Sequence, residues 1–470
     1  MRNHSVPPPG AGPTPLDALL NEIVQRYRLT EIGPTSWPLD AAQPATTLAL
    51  DIERAREASA RGEAPDAACR LRFLHTLARL IGDAMHPDSG DAAFQALVLR
   101  HRSAWVGEYA SLSAQAAQDR RRIRTEVAAI AHPAKLDRTP AGVRRTLLAH
   151  LHAAASVARP AELQDAVKAL LDLPDVAADA SLHEALARLQ RGAPLERLFR
   201  LETLEQDERV RRYRALWDRQ GPAPGSDEAA ARGARSRARG ASAEASAADA
   251  LRALARRLNH LEAGRAEYGV VTSLRVPATI PGSAAHAKSE WDAVLLRRAA
   301  PGAAASAWDV CLLVEAKSSV DAAATDFPRL LRGVRLLACA EADIEYAFGA
   351  REGEVRLRGA SLAALRTDEA ALRRSILYCC DAPAEPAPRL LNAAGRMQLL
   401  TAPASLSFAA RLDEGFLAEP AELEPVWKEL LSSPRWATVL NQYPILRQVR
   451  ELMVHPHDLL AVAGAAAGGR

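Results

Sequence analysis

Three charged residues lie within or at the end of apolar segments in the second half of the chain, and two of them are carboxylates, which bind metal ions. Asp292 lies in the run 289–296, and Glu315 and Lys317 end the run 308–317. A charge inside an apolar strand is unfavourable unless it is paired or holds a cation. Side chains two apart on a strand share a face, so Glu315 and Lys317 point the same way. If the two segments are neighbouring strands, Asp292 and Glu315 converge on one divalent cation.

Magnesium suits such a pair of carboxylates, because protein sites often hold Mg²⁺ by one or two carboxylates together with water and substrate phosphate. Lys317 would then lie beside the metal-bound water. There it could orient or help to deprotonate the water, or neutralise the charge that builds up on a phosphorane-like transition state. The residues therefore predict a site for metal-assisted phosphoryl chemistry.

The arrangement resembles the PD-(D/E)XK nuclease superfamily over about residues 247–385. In that superfamily an acidic residue at the start of one strand and a (D/E)-x-K element on the next strand hold the catalytic metal. Asp292 matches the first acid and residues 315–317 (Glu-Ala-Lys) match the second element. Trp291 stands where the motif often has proline. The resemblance implies a restriction-endonuclease-like mixed sheet flanked by helices, and phosphodiester hydrolysis with Mg²⁺ or Mn²⁺ in restriction, repair or defence.

The resemblance also implies further contacts to the metal and the substrate, which is expected to be DNA in preference to RNA. The superfamily often adds a carboxylate from the preceding helix, and Glu262 is the first candidate for this ligand and Glu267 the second. Residues that flank the site or follow it on the next helix are candidates to contact backbone phosphate: Lys288, Ser318, Arg329 and Arg332. For the two arginines, a solvated helix face is the alternative.

Other interpretations of the same residues stay open. Glu315 and Lys317 could form an edge-strand pair on a solvated face, although the unbroken apolar run 310–314 favours a strand buried on both faces. The protein could also be a catalytically silent nuclease-like fold that serves as a nucleic-acid-binding or protein-interaction module, or a mostly helical adaptor. A thermal shift that depends on Mg²⁺ or Mn²⁺ separates a metal site from an adaptor.

Weaker candidates lie elsewhere in the chain. Arginines within 120–124 and 232–239 could add sequence-independent affinity for nucleic acid, although most such runs are only solvated. His455, His457 and Asp458 have the types of metal ligands, but the intervening proline favours a surface turn. The sequence has no P-loop, Gly-rich dinucleotide fingerprint or nucleophile elbow, so no nucleotide cofactor is expected.

Composition and net charge limit the classes of protein to which the chain can belong. The chain has 470 residues and a formal net charge of +3, which is too small a basic excess to indicate a nucleic-acid binder by itself. It has no apolar run long enough for a transmembrane helix, no apolar segment typical of a signal peptide and five scattered cysteines. These features predict a cytoplasmic protein that does not bind a membrane.

The length and the changing composition predict a multidomain protein of class α plus α/β. Residues 220–248 are rich in Ala, Gly, Ser and Arg and lack large apolar side chains, which indicates a flexible linker. The helical N-terminal domain is the part expected to take a protein partner. The predicted segments are a disordered start over 1–13, a helical domain over 14–219, the linker over 220–248, a nuclease-like α/β domain over 249–410 and a helical C-terminal segment over 411–470.

Within the α/β segment the periodicity predicts the order helix, three strands, helix, strand. The expected helices cover 247–263, 326–342 and 362–374. The expected strands cover 269–276, 291–296, 310–314, 344–348 and 375–380.

Overall fold

The computed structural model describes residues 14–29, 43–157, 159–222, 225–299, 307–385 and 389–464. Its internal contacts divide the chain into two compact units. The first takes residues from 1–76, 224–396 and 427–470, and the second from 77–223 and 397–426. The predicted disordered segment 1–13 lies outside the described residues.

Helices make up most of the described chain before residue 222, as the periodicity predicts for 14–219. They are α1 (Pro15–Glu22), α2 (Pro44–Ala60), α3 (Ala67–Met85), α4 (Ala92–Arg102), α5 (Ala104–Ala131), α6 (Pro133–Leu136), α7 (Val143–Val157), α8 (Pro160–Leu171), α9 (Pro174–Ala177), α10 (Ala180–Gln190), α11 (Ala193–Leu204) and α12 (Glu208–Asp218).

These helices do not form one domain. Leu16, Leu19 and Leu20 of α1 are buried in the same cluster as residues of the α/β part, and residues up to 76 belong to the first unit. A helical period shows which face of a helix is apolar, but it carries no information about which distant element covers that face.

The segment 220–248 is not the flexible linker that its composition predicts. A single helix, α13 (Asp227–Leu261), runs through most of it, with Ser226 as the N-cap and Asp227 and Glu228 in the first turn. Alanine is the best helix former and arginine is among the next best, so a segment without large apolar residues can still be helical. From Ala243 onwards α13 also buries side chains, which supplies the packing that composition cannot show.

The first unit contains one mixed sheet. Within the described residues its strands are β1 (Ala266–Arg275), β2 (Glu290–Ala299), β3 (Asp309–Lys317), β4 (Glu345–Ala350), β5 (Gly353–Arg358), β6 (Ile376–Cys380) and β7 (Met453–Val454). Their order across the sheet is β5-β4-β1-β2-β3-β6-β7. The strands from β5 to β3 pair antiparallel, whereas β6 pairs parallel with β3 and β7 parallel with β6.

The remaining helices follow β3 and complete both units. They are α14 (Val320–Leu337), α15 (Gly359–Ala363), α16 (Glu369–Ser375), α17 (Ala393–Leu400), α18 (Pro403–Asp413), α19 (Glu424–Ser432), α20 (Ala437–Leu440), α21 (Gln442–Glu451) and α22 (Pro456–Gly464), with short 3-10 turns at Pro420–Leu423 and Pro434–Trp436. The predicted boundary at 410 falls inside α18, and residues 397–426 belong to the second unit.

Helices cover the sheet on both faces around β3. Leu377 and Cys379 of β6 belong to the buried cluster that contains α13, α1 and α22. Tyr378 alternates with them and so points to the opposite face. There its ring centroid lies 6.5 Å from that of Phe327 on α14. The described residues contain no helix with the length and apolarity needed to cross a membrane.

Candidate functional site

The register of β2 against β3 sets Asp292 opposite Glu315. Ala293 pairs with Val314 in this antiparallel ladder, so the next residues outward are Asp292 and Glu315. Directly opposed residues of antiparallel strands share a face of the sheet. The backbone N–H of Ala316 donates a hydrogen bond of 2.8 Å to Oδ2 of Asp292. The structure therefore brings the acidic residue of β2 and the Glu-Ala-Lys element of β3 to one place.

Glu315 lies between two ammonium groups. Its side chain is 2% exposed, with Nζ of Lys317 2.5 Å from Oε1 and Nζ of Lys288 2.6 Å from Oε2. Lys288 is itself nearly buried, and its ammonium lies 5.7 Å from the centroid of the Trp291 ring. Burial makes each of these charges unfavourable alone, so their proximity compensates the lost solvation.

A third carboxylate joins the cluster from α14. Oδ2 of Asp326 lies 3.4 Å from Nζ of Lys317, so Lys317 bridges Asp326 and Glu315. The sequence analysis did not select Asp326. The only signal for it is an acidic residue directly before Phe327, at the start of the predicted helix 326–342, and that signal is common on solvated helices.

Burial raises the pKa of both Asp292 and Glu315. The pKa of Asp292 is raised by burial, and this outweighs the opposing effects of Lys288, the Ala316 N–H and Lys317. The pKa of Glu315 is raised by burial and then by the charge of Asp292. Burial opposes the charge of Lys317, but Glu315 and Asp326 outweigh it and raise the pKa of the ammonium. The site thus holds carboxylates that would gain from a further cation and a lysine that keeps its proton.

Several buried polar atoms of the cluster have no hydrogen-bond partner among the described residues. They are Oε2 of Glu315, which lies at ion-pair distance from Lys288 without a well-directed hydrogen bond, Oδ2 of Asp326, the hydroxyl of Tyr378 and Nε1 of Trp291. Burial, with the charges of Asp326, Glu315 and Asp292, raises the pKa of Tyr378. Buried polar groups in proteins nearly always find a partner. Oε2 of Glu315 and Oδ2 of Asp326 each face a lysine ammonium, which leaves the Tyr378 hydroxyl and the Trp291 ring N–H as the polar groups open to water or a bound molecule.

The donor set fits a lightly ligated hard cation. Within the described part of the chain, no group of three or more His, Cys, Asp or Glu side chains is arranged to hold a metal. Asp292 and Glu315 remain as a pair of carboxylates, and one or two carboxylates are what Mg²⁺ commonly takes from a protein. In this arrangement the ammonium of Lys288 supplies the positive charge next to Glu315.

The two candidates for an added carboxylate lie at the far end of the sheet, where Glu262 is the C-cap of α13 and Glu267 is in β1. Glu262 accepts a hydrogen bond of 2.9 Å from the Tyr268 hydroxyl and lies 3.4 Å from a guanidinium nitrogen of Arg297. Arg297 is five residues along β2 from Asp292, which is about 17 Å. Glu267 forms an ion pair of 2.8 Å with Arg298, the next residue of the same strand. The prediction of Glu262 or Glu267 as a metal ligand is therefore wrong, because both serve ion pairs at the other end of the strand.

A different acid of α13 acts on Asp292 through its charge. Besides burial, the negative charge of Glu244 is one of the causes that raise the pKa of Asp292. Glu244 is exposed and stands where α13 begins to bury side chains. It escaped the sequence analysis because it falls inside the segment that was expected to be a linker.

The structure places the four predicted phosphate contacts in different surroundings. Lys288 is 5% exposed and paired with Glu315, so it belongs to the interior of the cluster and is not a surface contact to phosphate. Arg332 donates to the backbone oxygen of His286, and Arg329 lies 3.9 Å from Asp326. Ser318 is exposed and directly follows Lys317, where a substrate could reach it.

The histidine pair near the C-terminus does not form a metal centre. The rings of His455 and His457 lie 5.1 Å apart between centroids, but Asp458 is engaged by Arg26 in a bidentate ion pair. The surface turn favoured by the sequence is wrong, because α22 begins at Pro456 and places His457 and Asp458 in its first turn.

Comparisons of the chain with protein-family models, curated proteins and solved structures return no match.

Proposed function

We propose that the protein is a metal-dependent nuclease of the PD-(D/E)XK type, which hydrolyses phosphodiester bonds and prefers DNA to RNA. One observation carries the proposal: Asp292 of β2 stands opposite Glu315 of β3, with the ammonium of Lys317 on the same face. Two carboxylates and a lysine at one point supply the ligands and the positive charge that metal-assisted phosphoryl transfer requires.

The chain order around the site also supports the proposal. Helix α13, the antiparallel strands β1, β2 and β3, helix α14 and the parallel strand β6 follow one another. This agrees with the order helix, three strands, helix, strand, apart from the β4-β5 hairpin and two short helices inserted before β6. The acid and the Glu-x-Lys element consequently lie on adjacent strands, as in the superfamily that the motif resembles.

Charge and burial give each residue of the site a different role. Asp292 and Glu315 would hold the metal ion, which supplies Lewis-acid activation of a water molecule when bound. Lys317 keeps its proton at neutral pH, because Glu315 and Asp326 raise the pKa of its ammonium. A protonated lysine cannot remove a proton from water, so Lys317 donates hydrogen bonds to the phosphate oxygens or the attacking water. Asp326 and Glu315 orient its ammonium.

One observation favours the silent-module alternative. Lys288 and Lys317 together place a positive charge next to each oxygen of Glu315. A closed ion-pair network of this kind can be purely structural. For metal to bind Glu315, the Lys288 ammonium must move away from Oε2. The nuclease requires this movement, whereas the silent module does not.

The decisive experiment incubates the purified protein with plasmid, linear duplex DNA, single-stranded DNA and RNA in EDTA, Mg²⁺ or Mn²⁺. The proposal expects cleavage in the presence of a metal and none in EDTA, with Asp292→Asn inactive in the same preparation. Thermal unfolding with and without Mn²⁺ is recorded in parallel. Binding of nucleic acid without cleavage under any metal would establish the module, and a protein that neither binds metal nor cleaves would overturn the proposal.

A further inference from the structure

Tyr378 of β6 carries a buried hydroxyl that has no hydrogen-bond partner among the described residues. Three other buried tyrosines of the first unit have bonded hydroxyls, namely Tyr27, Tyr268 and Tyr346. A hydroxyl that is buried without a partner has lost its hydrogen bonds to water and gained none, which is unfavourable. Tyr378 therefore indicates that a further molecule is bound beside its ring.

The strand register places Tyr378 in one row with the two carboxylates of the site. Asp292 of β2 stands opposite Glu315 of β3, and Glu315 is in register with Tyr378 of the parallel strand β6. Residues in register on neighbouring strands share a face of the sheet, and the strands lie about 4.8 Å apart. The three side chains thus rise side by side from one face, with Glu315 in the middle.

Helix α14 covers the hydroxyl and brings a third carboxylate to it. The ring centroid of Tyr378 lies 6.5 Å from that of Phe327, and Asp326 directly precedes Phe327 on this helix. The side chains of Lys317 and Asp326, which contact each other, keep 20% and 14% of their exposure. The cluster consequently reaches solvent at Lys317 and Asp326, while Tyr378 lies in its interior.

The surroundings of the hydroxyl favour a cation and its water over an anion. Burial and the charges of Asp326, Glu315 and Asp292 raise the pKa of Tyr378, so the hydroxyl stays neutral and can both donate and accept a hydrogen bond. A protein-bound Mg²⁺ usually keeps several waters at about 2.1 Å. The hydrogen-bond partner of such a water lies about 4–5 Å from the ion, which is close to the distance between neighbouring strands.

We infer that Tyr378 is a positioning residue of the candidate site, whose hydroxyl hydrogen-bonds to a water in the hydration shell of the divalent cation held by Asp292 and Glu315. The inference rests on the proposed function, because it needs the cation. It assigns Tyr378 to the binding of the ion and not to the reaction itself. Binding of the ion would give the hydroxyl the partner that it lacks in the metal-free protein.

The variant Tyr378→Phe tests this role, because phenylalanine keeps the ring against Phe327 and removes only the hydroxyl. Urea unfolding in EDTA measures the stability of the metal-free protein, and calorimetric titration measures the dissociation constant of Mn²⁺. The unfolding midpoint should stay the same or rise, since no hydrogen bond is lost. The dissociation constant should increase roughly two- to tenfold, which corresponds to the loss of one hydrogen bond.

Tyr268→Phe is the matched control on the same sheet. The hydroxyl of Tyr268 donates a hydrogen bond of 2.9 Å to Glu262 at the far end of β2. Here the same substitution removes a hydrogen bond that already exists. Tyr268→Phe should therefore lower the metal-free midpoint and leave the affinity for Mn²⁺ unchanged, which is the opposite of the result expected for Tyr378→Phe.

The possible outcomes separate this inference from the proposed function. A lower metal-free midpoint for Tyr378→Phe would show that the hydroxyl already has a partner, and would overturn the inference. If wild type and Tyr378→Phe bind Mn²⁺ equally well, Tyr378 has no role at the ion, while the metal site and the nuclease stand. A wild type that binds no Mn²⁺ would remove the metal site and the role of Tyr378 together. Weaker binding of Mn²⁺ by Tyr378→Phe supports the inference even where the wild type cleaves no nucleic acid.

Discussion

The backbone N–H of Ala316 donates a hydrogen bond to the carboxylate of Asp292, across the strand boundary between β2 and β3. This contact fixes Asp292 between the two charged residues that flank Ala316 on β3. A shift of one residue in the strand register would turn Glu315 and Lys317 to the opposite face. The contact therefore links the fold of the sheet to the geometry of the candidate site.

Asp292→Asn should abolish metal-dependent cleavage while preserving the fold. The amide oxygen of asparagine can still accept the hydrogen bond from Ala316, but the charge that attracts the metal is lost. We expect cleavage to fall about 10²-fold or more, measured by product formation under single-turnover conditions. Glu290→Gln is the control, because Glu290 is two residues away with a side chain that is 46% exposed. Equal activity of wild type and Asp292→Asn would remove Asp292 from the site.

Lys317→Met should separate catalysis from metal binding. The change removes a positive charge beside Glu315, so Mn²⁺ should bind at least as tightly, while turnover falls about 10²-fold because the phosphate loses a charged donor. Glu315 keeps Lys288 as its partner, so the protein should fold. Lys428→Met provides the same substitution at an exposed position. Titration of Mn²⁺ by calorimetry together with turnover rates gives the answer, and an unchanged turnover contradicts the assignment.

Glu315→Ala should destabilise the protein far more than Asp292→Asn does. It leaves the buried ammonium of Lys288 without its partner, and breaking a buried pair from one side costs about 3 kcal/mol or more. The double variant Lys288→Met, Glu315→Ala should recover part of this loss. Urea unfolding of the two single variants and the double variant measures the coupling. A coupling near zero would mean that the Lys288–Glu315 ion pair contributes nothing to folding.

Gly333→Ala should disturb the packing of α14 against Lys288. A Cβ at Gly333 would lie 2.7 Å from Cβ of Lys288 and 3.2 Å from its backbone N and O. Because α14 and the Lys288 backbone must separate, we expect a loss of about 1–3 kcal/mol in the free energy of unfolding. Gly349→Ala in β4 meets no atom within 4 Å and should be neutral or slightly stabilising. Equal unfolding midpoints for the two variants would contradict this packing.

Metal affinity should rise with pH over a range above the usual titration of carboxylates. Asp292 and Glu315 have raised pKa values in the folded protein, so protons compete with the metal at pH values where ordinary carboxylates, with pKa about 4, are already ionised. The effect of pH on the stability of the fold has the opposite direction. Raised pKa values favour folding at low pH, and this contribution is lost as pH rises through the folded values.

The measurement is the Mn²⁺ dissociation constant from pH 5 to 8, with the thermal shift at each pH. Asp292→Asn should flatten the dependence, because one competing proton site is gone. A dissociation constant that is constant over this range would show that neither carboxylate binds the ion.

Local patterns of apolar residues predict much of the order of helices and strands in the α/β part. The run 310–314 is apolar without interruption and the run 291–296 is apolar except for Asp292, and they lie inside β3 and β2. The segments 344–348 and 375–380 likewise overlap β4 and β6 within two residues. Such runs predict strands because the information is local. Asp292 and the Glu-x-Lys element were visible for the same reason, as charges where apolar residues are expected.

Other elements gave no local signal. β5 alternates charged residues with only two large apolar ones, and its pairing with β4 makes it a strand. The two-residue β7 exists only through its pairing with β6. Residues 227–242 of α13 lack large apolar side chains, which indicated a linker, although their alanines and arginines favour a helix. In each case the element depends on a pairing or packing partner that local composition does not show.

The sequence by itself determined which residues could do chemistry, because residue type and the two-residue period of a strand are local properties. Only the tertiary structure decided which of them meet. It joined Lys288 and Asp326 to Glu315 and Lys317, and left Glu262 with Arg297 at the far end of β2. These outcomes depend on strand register and helix placement, which arise from burial summed over the whole core and not from any one segment.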